Sequence, residues 1–312
     1  GYASGTAFSY AATGSTLIMN HNSGLYGIST GQAFWPTILP PFNVTIQGSG
    51  AQINNTVGTV AGTLTVNSQL ACAATPSVTV SGSAILAAQL SNNANGNFLS
   101  NGTLQINSGG YVSTSAPTYG SASTLIYNSG STSVSPYGVA TEWTGSSATA
   151  GVGIPNNVTI QGNTFITMPN GNRGMSGALS VTVGSGITLN STSGDLSIGG
   201  NFTQNGTLTN SGRAINFFGT TTTTQTITGT GLNGTGATNC FAYFLNNTTG
   251  TGGVTIGTNA TISATSSDVL QLLNSGSLKI GAFTLTLDGN GGNILVSGCL
   301  LYTSPSPRDR QK

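Results

Sequence analysis

Gly62-Thr-Leu64-Thr-Val66 sets the reading of this chain, because the phrase keeps returning. It recurs as Gly102-Thr-Leu104-Gln-Ile106, Gly177-Ala-Leu179-Ser-Val181, Gly194-Asp-Leu196-Ser-Ile198 and Gly276-Ser-Leu278-Lys-Ile280, with a shortened copy at Gly206-Thr-Leu208. A glycine turn followed by period-two alternation marks a short strand with one buried face. Repetition of such a unit points to stacked rungs, each burying its apolar edge against its neighbours.

Composition supports stacking. Charged residues make up 4% of the chain, while 47 of the 312 residues are glycine and Ser, Thr and Asn fill most polar positions. In a stack of parallel strands, equivalent positions lie about 4.8 Å apart. Like charges at that spacing repel by roughly 0.9 kcal/mol per neighbour even in water. Thr, Ser and Asn form hydrogen-bonded ladders there instead. The 37% hydrophobic fraction is enough to build a core. The chain contains a single glutamate and two lysines among many β-branched residues, so it reads as β throughout. No apolar run approaches the roughly 18 residues of a spanning helix. A net charge of +1, with Arg173, Arg213 and Lys279 isolated, argues against nucleic-acid and anionic-membrane partners.

A longer duplication encloses the short phrase. Ser15-Thr-Leu-Ile18 returns as Ser123-Thr-Leu-Ile126, and Phe34-Trp35 returns as Glu142-Trp143, both at an offset of 108. Asn43-Val-Thr-Ile-Gln-Gly48 returns as Asn157-Val-Thr-Ile-Gln-Gly162 at an offset of 114, and Gly62-Thr-Leu64 as Gly177-Ala-Leu179 at 115. Each unit opens with a strand, continues into a long Gly/Ser/Pro-rich segment carrying tryptophan, and then enters regular rungs. The expected organisation is a first solenoid unit over 1–116 and a second, continuous with it, over 117–298. The expected fold is all-β: a right-handed parallel β-helix with two long loop insertions and on the order of a dozen coils of about 20–25 residues. Its competitor is a set of β-sandwich repeats, which the strand spacing also suits.

Residues 299–312 break with the rest in composition and carry half of the basic residues. The run from Cys299 to Asp309 resembles a translated sequencing adapter, so 299–312 is treated as a non-native tail of a metagenomic fragment. The opening Gly1-Tyr-Ala-Ser-Gly5 has no charged leader with an apolar stretch, and the chain reads as cut at both ends.

Few residues offer chemistry. His21, the single histidine, is expected on a surface loop. Asp268 and Asp288 would stack on adjacent coils if the coil length matched their separation, which is the one paired-carboxylate geometry available. Both also fit turn chemistry. Asp288-Gly-Asn-Gly-Gly-Asn293 has a faint calcium-loop look but lacks the terminal bidentate acid. Cys72 and Cys240 have no metal-ligand spacing and read as small buried hydrophobes. No catalytic residue, metal site or cofactor is assigned. Trp35 and Trp143, with Tyr26 and Tyr137 in the same loops, are the candidate ligand contacts, since aromatic rings on protruding loops stack on sugars or anchor partners. The competing role is to pin each long loop onto the solenoid wall. Thr220 to Thr224, with the pairs Thr226/Thr228 and Thr284/Thr286, raises ice binding as a third function, although the pairs do not share one coil period.

Several phrases carry a resemblance: Ser123-Thr-Leu-Ile-Tyr-Asn128 with Thr141-Glu-Trp143, Asn157-Val-Thr-Ile160, Gly199-Gly-Asn-Phe-Thr-Gln-Asn-Gly-Thr-Leu208, and Gly212-Arg-Ala-Ile-Asn-Phe-Phe-Gly219 with Gln225-Thr-Ile-Thr-Gly229. In these the chain resembles the repetitive β-solenoid regions of large secreted, adhesin-like surface proteins of Bacteroidetes type, often exported by the type IX route. The resemblance covers about residues 117–298 well and the first unit more loosely. It implies an extracellular, surface-attached, non-enzymatic structural or adhesive segment. Expected partners are surface glycans or other cell-surface proteins. Carbohydrate binding or processing on the same scaffold is the alternative.

Overall fold

The computed structural model describes residues 8–296 apart from 30, 31, 37, 56, 74–77, 95, 96, 220–223, 250, 251, 265–267, 275 and 289–293. The expected tail at 299–312 lies outside the described residues. Within them there is no helix, and the strands stack as a parallel β-solenoid. One sheet runs through both units. It contains twelve strands, which bound eleven turns: Thr16–His21, Asn43–Gly48, Thr63–Val66, Ser83–Leu86, Thr103–Asn107, Thr124–Asn128, Asn157–Ile160, Leu179–Val181, Phe202–Gln204, Gln225–Gly229, Val254–Ile256 and Leu278–Ile280.

Register on this sheet follows the alternation in the sequence. Leu17, Val44, Leu64, Ala84, Leu104, Leu125, Val158, Leu179, Phe202 and Ile227 stack in one inward row. Two residues on, Met19, Ile46, Val66, Leu86, Ile106, Tyr127, Ile160 and Val181 form the second inward row. Apart from half-buried Leu17 at the edge, every side chain in these rows is buried. Burial of each large one contributes about 1.5–3 kcal/mol.

Coil length is constant from Val44 to Leu104, since Val44, Leu64, Ala84 and Leu104 are consecutive partners in register. Gly62, Gly82 and Gly102 therefore stack. A Cβ on Gly82 would collide with the Gly62 carbonyl oxygen, and one on Gly102 with that of Gly82. Those same carbonyls accept from the Ser83 and Thr103 amides, at 2.9 and 2.8 Å. Asparagine performs the same service at other corners. The Oδ1 atoms of Asn43, Asn157 and Asn201 accept from the amides of Thr63, Ala178 and Thr226 on the next coil, at 2.8–2.9 Å. Glycine permits close coil approach and asparagine closes the remaining amides, which accounts for the abundance of both.

The other faces change between the units. Residues of the first unit form a five-stranded sheet (Tyr26–Ile28, Ala51–Ile53, Leu70–Cys72, Gln89–Asn92, Tyr111–Thr114) and three strands of a four-stranded one, which Thr118–Tyr119 at the start of the second unit completes. New sheets begin after that, at Tyr137–Gly138 and Arg173–Met175. The recurrent phrase is a strand in every copy, but not on one face. Leu196–Ile198 belongs to the six-stranded sheet begun by Arg173–Met175, and Thr207–Thr209 to the four-stranded sheet begun by Tyr137–Gly138. A phrase that encodes alternation does not encode which face it occupies.

At the far end, Ile280 continues the row of buried Ile227 and Ile256 yet is exposed. Leu287 stacks on buried Ile262, and Ile294 on Leu270, with both outer residues exposed. Core-facing positions are thus uncovered there among the described residues.

Two outcomes are expected. Gly82→Ala should lower unfolding free energy by about 1–3 kcal/mol in a denaturant titration, whereas Gly138→Ala, at an exposed position where a Cβ meets open space, should be far milder. Replacing Ile280, Leu287 and Ile294 by Ser should reduce concentration-dependent association in sedimentation velocity, because exposed apolar edges recruit other chains.

Candidate functional site

Both long segments occupy the same place in the coil. Each leaves the long sheet after an equivalent strand (Thr16–His21; Thr124–Asn128) and rejoins it at the next (Asn43–Gly48; Asn157–Ile160). Their tryptophans point inward. Trp35 is 2% exposed and Trp143 fully buried, so neither presents a ring face to a ligand. This corrects the reading of these two residues as ligand contacts and agrees with the competing one, in which each pins its long loop to the solenoid wall. A long loop attached only at its ends loses much entropy on ordering, and a buried indole offsets that loss by removing a large apolar surface from water.

The second segment is held by more than its indole. The Trp143 indole N–H donates to the Gly174 carbonyl at 2.7 Å, and Arg173 Nε donates to the Trp143 carbonyl at 2.6 Å. Beside it, Glu142 is buried among tyrosines. Its Oε1 accepts from the Tyr127 hydroxyl and the Ala140 amide, both at 3.1 Å, while its backbone carbonyl accepts from the Tyr119 hydroxyl at 2.7 Å. Burial pushes the Glu142 carboxyl above its ordinary range, and these hydrogen bonds only partly oppose that shift. Burial, followed by the nearby carboxyl, likewise raises the Tyr119, Tyr127 and Tyr137 phenols. Desolvation lowers Arg173, with the carboxyl acting in the opposite sense. Tyr137 is half-buried in this cluster, its ring 5.5 Å from that of Tyr127.

The first segment uses a different solution. Phe34 replaces the acid, and its ring packs 5.8 Å from Tyr26, which in turn meets His21 at 5.2 Å. Tyr26 is half-buried in this stack. His21 closes the strand Thr16–His21 rather than lying on a loop, because its strand runs two residues further than the apolar alternation indicates.

Beyond Trp143, residues 144–150 stand off the wall. Their base is fixed where Thr144 and Gly145 amides donate to the Gly153 carbonyl and the Gly174 amide to that of Gly145, at 3.0–3.1 Å. The rest of the loop borders two open depressions of about 280 and 250 Å³ that share lining residues. Ala148 and Phe218 line both. One cavity is completed by residues such as Asn156 and Ser176, the other by Ser146, Ser197, Asn216 and Asn247. Sequence reasoning missed this groove. Its only signal was the doublet Phe217-Phe218, in which alternation buries one ring and turns the other outward.

The other candidates do not assemble. Leu270 pairs with Ile294 and Ala260 with Leu285, so the local coil is longer than the separation of Asp268 and Asp288, and the two acids miss the register. Asp268 instead takes a left-handed turn, with φ of 62°, before Leu270–Leu272, while Asp288 follows Leu285–Leu287 in a different sheet. Residues 289–293 of the calcium-like loop and 220–223 of the threonine run lie outside the described residues. On the long sheet the outward row reads Thr45, Thr65, Ile85, Gln105, Ile126, Thr159, Ser180, Thr203, Thr228. Three coils therefore interrupt the hydroxyl row that an ice-binding face would use. Cys72 and Cys240 are free and buried, and burial pushes the Cys72 thiol up to about 12, which keeps it protonated and unreactive.

No family model matches the chain, and neither the curated proteins nor the solved structures contain a match to it.

The buried acid yields a pH prediction. Because the folded state holds the Glu142 proton more tightly than the unfolded chain does, stability falls as pH rises. The contribution is complete below the ordinary glutamate value of about 4.3 and is lost as pH climbs through the raised folded value. Glu142→Gln should flatten that decline in melting temperature between pH 4 and 7. An unchanged slope would show that the carboxyl is not the titrating group.

Proposed function

We propose that the chain is a non-enzymatic structural and adhesive segment of a secreted cell-surface protein. Its mode of action is extension and repeated surface contact. The observation that carries this reading is the continuous twelve-stranded sheet, a ladder about 50 Å long. Its outward side chains are mainly uncharged hydroxyls, amides and aliphatics, repeated coil by coil. Such a surface suits many weak, additive contacts, which gain strength through multivalency rather than through one deep pocket.

The placement of the acids supports the non-enzymatic part. Glu142 fixes a loop, Asp195 accepts the Ala214 amide at 3.0 Å, and Asp268 and Asp288 flank strands of different sheets. No three His, Cys, Asp or Glu side chains converge among the described residues. Carbohydrate binding is the second reading, and the groove beside residues 144–150 favours it.

Beads bearing the folded chain should be retained on cell surfaces or on surfaces coated with extracellular polysaccharide or protein. Beads bearing heat-unfolded chain should wash away. Equal retention of the two, or none on any surface, would overturn adhesion. Polysaccharide turnover lost on Asp268→Asn would overturn the non-enzymatic reading.

A further inference from the structure

We infer that the groove between residues 144–150 and the wall of the second unit is a binding site for a neutral polysaccharide. The inference rests on the adhesive reading and supplies its ligand class. It begins with the lining. Neither cavity is lined by a charged residue. An acidic polymer or a phosphorylated ligand would leave its charges unpaired there, at a desolvation cost nothing in the groove offsets. A neutral ligand incurs no such cost.

Polar groups of the groove match hydroxyls. Ser146, Ser197, Asn216 and Asn247 all line the same cavity, and serine and asparagine side chains both donate and accept. Sugar hydroxyls have the same dual character. Ser197 and Asn216 are direct partners in register, so their side chains stand one strand spacing apart along the solenoid. Asn216 Nδ2 donates to Ser197 Oγ at 3.4 Å, a long contact that a ligand hydroxyl can replace, while Asn216 Oδ1 is buried away from the groove.

An aromatic plate is also present. Phe217 is buried among Phe202, Phe241 and Phe244, with ring separations of 5.0–6.4 Å. Phe218 turns the other way and is half-buried at the junction of the two cavities. A ring in that position presents an apolar face to the C–H side of a sugar while the neighbouring amides take its hydroxyls. With Ala148 opposite, the junction is a waist between two lobes, each below the usual range for a drug-sized ligand. That shape fits consecutive units of a chain better than one compact molecule.

The wall and the loop base are both built before a ligand arrives. Trp143, Glu142 and Arg173 fix residues 142–145 through buried and part-buried hydrogen bonds, so little ordering remains for binding to supply. The tryptophan therefore positions the site instead of touching the ligand.

Affinity electrophoresis and a glycan array test this, using neutral glucans, mannans and galactans beside acidic polygalacturonate. At least one neutral polymer should retard the chain. Ala148→Trp, which fills the waist from an exposed loop position, and Phe218→Ala should each weaken that binding by ten-fold or more. Val134→Ala, at an exposed position that lines neither cavity, should leave it within two-fold. Circular-dichroism melts identify any variant that fails to fold, and Ala148→Trp alone then decides. Neutral-glycan binding unchanged in Ala148→Trp, or binding confined to the acidic polymer or to proteins, would overturn the site. Bead adhesion that persists unaltered in the same variant removes the groove alone, whereas absence of adhesion by the parent chain removes the reading beneath it.

Discussion

In-register stacking of parallel strands is the constraint on which the rest of this molecule depends. Each coil presents its backbone and its side-chain rows to the next at a fixed spacing of about 4.8 Å. Whatever one coil places inward, its neighbours must pack against; whatever it places outward, its neighbours must tolerate. Apolar and aromatic rows from Leu17 to Ile227 satisfy the first condition, and hydroxyls and amides satisfy the second. The low charge and the stacked glycines at 62, 82 and 102 follow from the same spacing.

Departures from the stack occur where the coil lengthens. From Thr103 the chain returns to register at Thr124, close to the regular coil, but from Thr124 it returns only at Asn157. The added residues cover the place where the side sheets of the first unit stop. There the Tyr119 amide donates to the Gly151 carbonyl and Thr118 bridges Val152 in antiparallel fashion. The insertion thereby closes an edge strand that would otherwise present unpaired backbone groups. It needs an internal anchor to do so, which Trp143, Glu142 and the three tyrosines provide. The first insertion keeps one element of this anchor, the Tyr10 hydroxyl donating to the Phe34 carbonyl at 2.7 Å as Tyr119 does to Glu142, and replaces the buried carboxyl with stacked aromatic rings.

Placing a carboxyl in such an anchor is costly, and the cost explains its surroundings. An isolated buried carboxylate is strongly disfavoured. Here the group is flanked by phenol donors, a backbone amide and a nearby guanidinium, and it holds its proton more firmly than an exposed acid does. The result is a rigid base from which residues 144–150 project. Loops that carry function generally need such a base, because an unsupported loop loses on ordering what it gains on binding.

Much of the scaffold was legible in the sequence. Gly-x-Leu-x-Val/Ile alternation located the strands, the paired offsets near 108–115 located the two insertions, and the scarcity of charge pointed to stacking. Even Glu142 was conspicuous as the single glutamate, though nothing local marked it as buried. The side sheet that each phrase occupies, the misregister of Asp268 and Asp288, and the groove at Phe218 were not legible, whereas loop length alone already offered the pinning role that Trp35 and Trp143 take. These depend on coil lengths and on contacts between residues a full coil apart. Alternation is a local property written into consecutive residues, so the sequence by itself determined that the chain forms stacked strands with an apolar inside. Which side chains meet across coils is set by how far along the chain each coil returns to register, and only the tertiary structure decided that.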